Sequence, residues 1–270
     1  TKGLGITGGH ADINGWSPDV PLRGYAQIVD GVDAVRHAVR EQIKFGADLI
    51  KITASGGVLS SGDSVNHEQY SEEEIRAAVE EAGRLGRKVA AHAHAAKAIV
   101  NAVRAGVASI EHGSLIDDEG IALMKQKGTY LVPTLYTLDF IINEGREHGV
   151  PQYGIDKAKE VAKVQRANLK RAYQAGVRFA YGTDAAVFPH GRNARDFAIL
   201  VEQMRVPPME AIRMATQSSA DLIGISDRVG TLESGKWADM IAVDGDPLKN
   251  IRVLENVSFV MKGGAVYKGR

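Results

Sequence analysis

One joint occurs three times along the chain and limits its fold more than any other feature: RLGRKVAAH (84–92), RAGVASIEH (104–112) and QAGVRFAYGTD (174–184). Each is a helix end, a glycine, a short apolar strand and then a polar residue. Glycine closes a helix in the left-handed conformation without a Cβ penalty, and the strand follows at once. Helices alternating with short apolar strands read as βα units around a parallel sheet. In a closed parallel barrel every strand points its carboxyl end at one common face. The polar residues ending these strands then converge, and any active site is expected there.

The rest of the chain extends this pattern. Strands are expected at Leu4–Thr7, Asp48–Thr53, Lys88–Ala93, Ser109–His112, Tyr130–Thr134 and Arg178–Thr183. Helices are expected at about 32–45, from Ser71 to Gly86, at 95–105 and at about 156–175. Ser71 with Glu74 forms a capping box, in which hydroxyl and carboxylate satisfy free backbone donors reciprocally. Ser55–Tyr70 and Leu135–Tyr153 read as long loops covering the mouth. After two short helices (207–216 and 218–224), VGTLESGKWADMIAVDGDPL and VSFVMKGGAVYKG read as short strands and turns, with a hairpin at Gly263–Gly264.

Six strands are countable where a TIM-type (β/α)8 barrel has eight, and the chain opens almost directly on a strand. The expectation is a barrel incomplete at its N-terminus, with ~100 or more residues preceding Thr1 in the parent protein. The expected division is a partial barrel over 1–225 and a small β-structure over 226–270.

Composition narrows the function. Lys+Arg 33 against Asp+Glu 33 gives no basic excess for a nucleic-acid partner. No apolar run approaches the ~18 residues of a membrane span. The chain starts without a signal layout, and its compartment stays open. With no cysteine, a metal must be held by His, Asp, Glu or a modified side chain.

His92 and His94, at i and i+2 of a strand, project to one side, and two buried imidazoles there need a metal, a substrate or hydrogen bonds. His112 and Asp184 end their strands at the same face. Lys51 sits inside an apolar strand, where an unpaired ammonium is costly. It is paired, titrated down or chemically modified, and a lysine that takes up carbon dioxide becomes a carboxylate mimic. His37 and His148 read as ordinary helical histidines.

A lysine on one strand, histidines on the next two and an aspartate on the last resemble the amidohydrolase superfamily of metal-dependent hydrolases. IKITASGGVLSSGDS, AAHAHAAKAIVNAVRAGVASIEHG and YGTDAAVFPHGRN together look like its branch of Xaa-Pro and related dipeptidases, with imidazolonepropionase more distant. The tail resembles the superfamily's C-terminal segment, which builds part of a small β-sandwich. The resemblance implies Lys51 as a carboxylated lysine bridging two metals, His92 and His112 as ligands of the second metal, and Asp184 as ligand of the first and general base. His10 and His94 match positions near the substrate carbonyl, which implies polarising or transition-state-stabilising roles. The superfamily's first strand ends in a His-x-His pair. The only such pair here, His92-Ala93-His94, follows the lysine strand, so that first strand is expected to lie outside this chain.

Two Zn2+ ions are expected per intact site, with Mn2+ or Co2+ as alternatives. The expected reaction is hydrolysis of a peptide or amide bond in a small substrate bearing a C-terminal amino acid. Arg192 is expected to hold the free carboxylate bidentately, with Tyr136 helping. A homo-oligomer is expected, with a small-molecule or dipeptide substrate and neither nucleic-acid nor membrane partners. The alternatives are a cyclic amide (imidazolone-type) hydrolase, or a metal-free barrel fragment with a structural role.

Overall fold

The structure, a computed structural model, describes residues 1–17 and 26–269. Seven short strands form a parallel sheet: β1 (Leu4–Gly5), β2 (Gln27–Ile28), β3 (Leu49–Thr53), β4 (Lys88–Ala93), β5 (Ser109–His112), β6 (Tyr130–Val132) and β7 (Arg178–Phe179). Their order is β2-β1-β3-β4-β5-β6-β7. With helices alternating along the chain, this is a partial TIM barrel. A separate antiparallel sheet, β10-β9-β8, consists of β8 (Met240–Val243), β9 (Val257–Lys262) and β10 (Ala265–Lys268). The β9–β10 turn falls at Gly263–Gly264, both with positive φ.

The chain divides into two compact units, Thr1–Val132 with Ile141–Arg178, and Pro133–Phe140 with Phe179–Arg270. In the first unit, α1 (Val32–Lys44), α2 (Glu72–Arg84) and α3 (Ala96–Ala105) cover the helix side of the sheet, where Ile50, Ile52, Val89, Ala91 and Ile110 are buried. The capping box of Ser71 and Glu74 opens α2, and Gly106 (φ 99°) closes α3. The longest helix, α6 (Gln152–Gln174), begins four residues before its expected start.

Several expectations are corrected. There are seven parallel strands among the described residues, not six, because β2 is too short to leave a pattern in the sequence. It is two residues long and pairs in register with β1. The first strand ends at Gly5 rather than Thr7, because the Thr7 amide and hydroxyl both bond to the Asp30 carboxylate (3.0 and 2.6 Å). The strand at 130–134 stops at Val132, and Thr134 has φ 45°. The strand at 178–183 stops at Phe179. Beyond it, the Tyr181 amide bonds to the Met214 carbonyl (3.2 Å) and the Ser219 hydroxyl (3.1 Å) instead of a neighbouring strand.

Two helices also occupy expected gaps: α4 (Asp118–Lys127), capped by the Asp117 side chain, and α5 (Leu135–Asn143) inside the expected loop 135–153. The two expected short helices, α7 (Pro208–Arg213) and α8 (Ser219–Ile223), are joined by a π-helical turn at Met214–Ser218.

Candidate metal centre

In the first unit four imidazoles converge at the carboxyl ends of the strands. Register explains three of them. Thr53 pairs with His92, and Lys51 pairs with Ala90, so the side chains of Lys51, Thr53 and His92 share the face opposite the helices. His94 continues the same alternation just past β4. His112 pairs with Ala93, which by alternation would turn it toward the helices. Its φ of 71° reverses that direction. A left-handed conformation is rare for a residue with a Cβ, and here it brings the His112 ring to 4.6 Å from His92 and 4.9 Å from His94.

His10 joins from the loop after β1 and stacks on His92, with ring centroids 4.5 Å apart. One nitrogen from each of His92, His94 and His112 lies within 4.8 Å of the others. His92 and His94 are buried, and His112 and His10 are half-buried.

Electrostatics keep these rings neutral. Burial is the first cause in every case and holds all four below the usual imidazole range, His94 at about 3. The charge of Lys51 pushes all four the same way, neighbouring imidazoles add to it at His92, His94 and His112, and Asp63 opposes it at His10 and His94. Neutral imidazole is the form that ligates a metal, so this donor set fits a divalent transition metal. The nitrogens of His92, His94 and His112 are close enough together for any of them to be drawn on as ligands.

The loop 55–70 supports the cluster with groups not singled out in the sequence. Gly57 lies against the His10 ring, and the Gly56 carbonyl is 3.4 Å from His92 Nε2. The Ser55 hydroxyl accepts the His94 amide (2.8 Å). His10 Nδ1 is 2.7 Å from Ser60 Oγ, and His94 Nδ1 is 2.9 Å from Ser114 Oγ.

The other candidates belong to the second unit. Asp184 is exposed, with φ 56°, the same conformation that turns His112. Arg192 Nη1 lies 3.4 Å from the Tyr136 hydroxyl, so these two expected partners do meet. Arg195, not expected from the sequence, donates to the same hydroxyl and lies over the Tyr136 ring. Asp196, 1% exposed, accepts the amides of Leu135 (3.0 Å) and Tyr136 (2.7 Å) at the start of α5. It anchors the backbone of Tyr136.

Fold and site together define the class: a partial TIM barrel with an imidazole cluster at its strand ends. Comparison with known proteins agrees: the pattern of the amidohydrolase family matches residues 3–268, and the chain belongs to that family. It is 39% identical over 246 residues to ochratoxinase of Aspergillus niger, covering 90% of this chain and 51% of that protein. The chain thus spans about half the length of that relative.

Among solved structures it is similar to a Xaa-Pro dipeptidase with bound methionine in the active site, at 42% identity and a TM-score of 0.92, covering 99% of this chain and 67% of the other. It is also similar to a prolidase complexed with N-methylphosphonate-L-proline, at 37% identity and a TM-score of 0.91, covering 100% and 68%.

Proposed function

We propose that the intact protein is a metal-dependent hydrolase that cleaves a peptide or amide bond in small substrates bearing a C-terminal amino acid. The observation that carries this reading is the four-imidazole cluster at the carboxyl ends of the strands, with three nitrogens within reach of one ion. A divalent metal held there supplies Lewis acidity and makes water nucleophilic near neutral pH. Zinc is the first choice for imidazole and carboxylate ligands. His92 and His112, with a carboxylated Lys51, would hold the metal.

The chain's own groups do the remainder. Asp184, five residues beyond β7, accepts the proton of the attacking water and passes it to the leaving nitrogen. His94 and His10 face the reacting carbonyl. Arg192, with the Tyr136 hydroxyl beside it, binds the substrate carboxylate. Similarity to a dipeptidase holding methionine and a prolidase holding an L-proline phosphonate supports a substrate with a free amino-acid carboxylate.

A panel of dipeptides, N-aroyl amino acids and cyclic amides, assayed with the intact protein, tests this. Hydrolysis of the open-chain substrates, lost with chelator and in Lys51→Ala, is expected. Cleavage of cyclic amides alone points to the imidazolone-type reaction. A Lys51→Ala variant with full metal content and rate overturns the proposal.

A further inference from the structure

His10 and His94 enter the cluster in equivalent ways, each with Nδ1 on a serine hydroxyl. Following each serine to its next partner separates them.

Behind Ser60 stands Asp63. The Ser60 hydroxyl lies 2.6 Å from Asp63 Oδ1, which also accepts Lys157 Nζ at 2.7 Å. Asp63 Oδ2 accepts the Gly57 amide (3.1 Å) and Gln69 Nε2 (3.2 Å). Four donors therefore converge on one carboxylate, which has four lone-pair sites and, when ionised, no proton of its own. Burial alone would raise this carboxyl. The bonds from Lys157, Ser60 and Gly57, with the Lys157 charge, outweigh it and hold the group below its ordinary value. Lys157 is itself saturated, since its ammonium also reaches the carbonyls of Gly57 (3.0 Å) and Ser60 (2.8 Å).

The Ser60 hydroxyl also lies 3.4 Å from the Gly57 carbonyl, but the ionised carboxylate at 2.6 Å is the closer and stronger acceptor, so Ser60 gives its only proton to Asp63 and its oxygen accepts from His10 Nδ1–H. Gln69 fixes the same histidine's backbone, because its Oε1 accepts the His10 amide (3.0 Å).

Behind Ser114 the polarity reverses. The next group is the buried amide of Gln165, whose Nε2 donates to Ser114 Oγ (3.3 Å). Ser114 is fully buried, and among the described residues the acceptor within hydrogen-bond distance of its hydroxyl is His94 Nδ1. A buried hydroxyl proton without an acceptor is costly, so Ser114 donates to His94 Nδ1. The proton of neutral His94 then sits on Nε2.

We propose that these two chains lock His10 and His94 into opposite tautomers. Lys157–Asp63–Ser60 leaves His10 Nε2 as a lone-pair acceptor, and Gln165–Ser114 makes His94 Nε2–H a donor. This deepens the proposed function and rests on it for the catalytic meaning. His94 is the histidine that donates to a developing oxyanion, and His10 is the one that accepts a proton. With its Nδ1 on Ser114 and a proton on Nε2, His94 then offers no lone pair to an ion, which leaves His92 and His112 as the ligands of the proposed function. Asp63, Ser60, Lys157, Ser114 and Gln165 are positioning residues.

The test is long-range 1H–15N correlation on the intact protein with 15N-labelled histidine. His10→Gln and His94→Gln assign the two rings. Expected are Nδ1–H for His10 and Nε2–H for His94, both unchanged when zinc is added. Asp63→Asn brings two donors of its own to a site that offers four, and is expected to alter the His10 pattern alone. Ser60→Ala, which leaves Asp63 and Lys157 paired, is expected to do the same. Ser114→Ala is expected to alter only His94.

Like tautomers for the two rings, or His94 Nε2 losing its proton to added zinc, overturn the proposal. So does an unchanged His10 pattern in both Asp63→Asn and Ser60→Ala. These readings need no turnover, so they stand or fall separately from the hydrolase assignment. Should hydrolysis also be observed, Asp63→Asn is expected to lower kcat at least tenfold with KM within twofold.

Discussion

Gly57 and the imidazole of His10 are in face contact: a methyl group on the Gly57 Cα would come within 2.2 Å of His10 Cε1 and Nδ1. The ring has little room to retreat, because it is bonded to Ser60 on one edge and stacked on His92. Gly57→Ala is therefore expected to displace His10, at a cost of about 1–3 kcal/mol for overpacking. Chemical unfolding checks the stability loss. Hydrolysis by the intact protein is expected to fall tenfold or more, while circular dichroism stays native.

The depressed imidazoles make stability depend on pH in a fixed direction. In the unfolded chain histidines take up protons near pH 6.5, whereas in the fold these four do so only at lower pH. Below pH 6.5 the unfolded state holds more protons, so stability is complete above that value. It is lost as pH falls from 6.5 toward the folded values, about 3 for His94. Each histidine adds a slope of up to about 1.4 kcal/mol per pH unit. Urea unfolding between pH 7.5 and 4.5, with chelator present, is expected to show the decline, and His94→Gln is expected to flatten it.

Asp196 holds the first two amides of α5, so Asp196→Ala orphans two buried donors, at roughly 1–3 kcal/mol each. A lowered Tm is expected. Tyr136, released from its anchor, is expected to bind substrate less tightly.

The same site makes a specificity prediction. Arg192→Met and Tyr136→Phe are each expected to raise KM for substrates with a free carboxylate, by roughly ten- to a hundredfold for a lost charge-assisted bond. Amidated substrates are expected to show little change, and steady-state kinetics on matched pairs reads the difference.

The barrel was legible because its joints are local: helix end, glycine and strand lie within nine residues of each other. His92 and His94 were legible for the same reason, through strand alternation. The misses are long-range. LYTLDFIIN in α5 has no polar face to mark a helix, since Leu135, Tyr136, Leu138, Phe140 and Ile141 are all buried. Its N-terminus is satisfied by Asp196, sixty residues away. The supports of His10 are similarly scattered, with Ser60 fifty residues on and Lys157 nearly a hundred beyond that serine. The loop between β3 and α2 reads in sequence as a long Gly-, Ser- and Asp-containing loop covering the mouth. It is in fact the hydrogen-bonding bed of the cluster.

The central claim is that the imidazole cluster holds a catalytic metal, and elemental analysis of the intact protein tests it most directly. Wild type grown with zinc is expected to carry bound metal, and the His92→Gln/His112→Gln double variant, folded by circular dichroism, is expected to have lost it along with hydrolysis. Equal metal content in the two proteins, or dipeptide hydrolysis by a wild type stripped of all metal, would contradict the account.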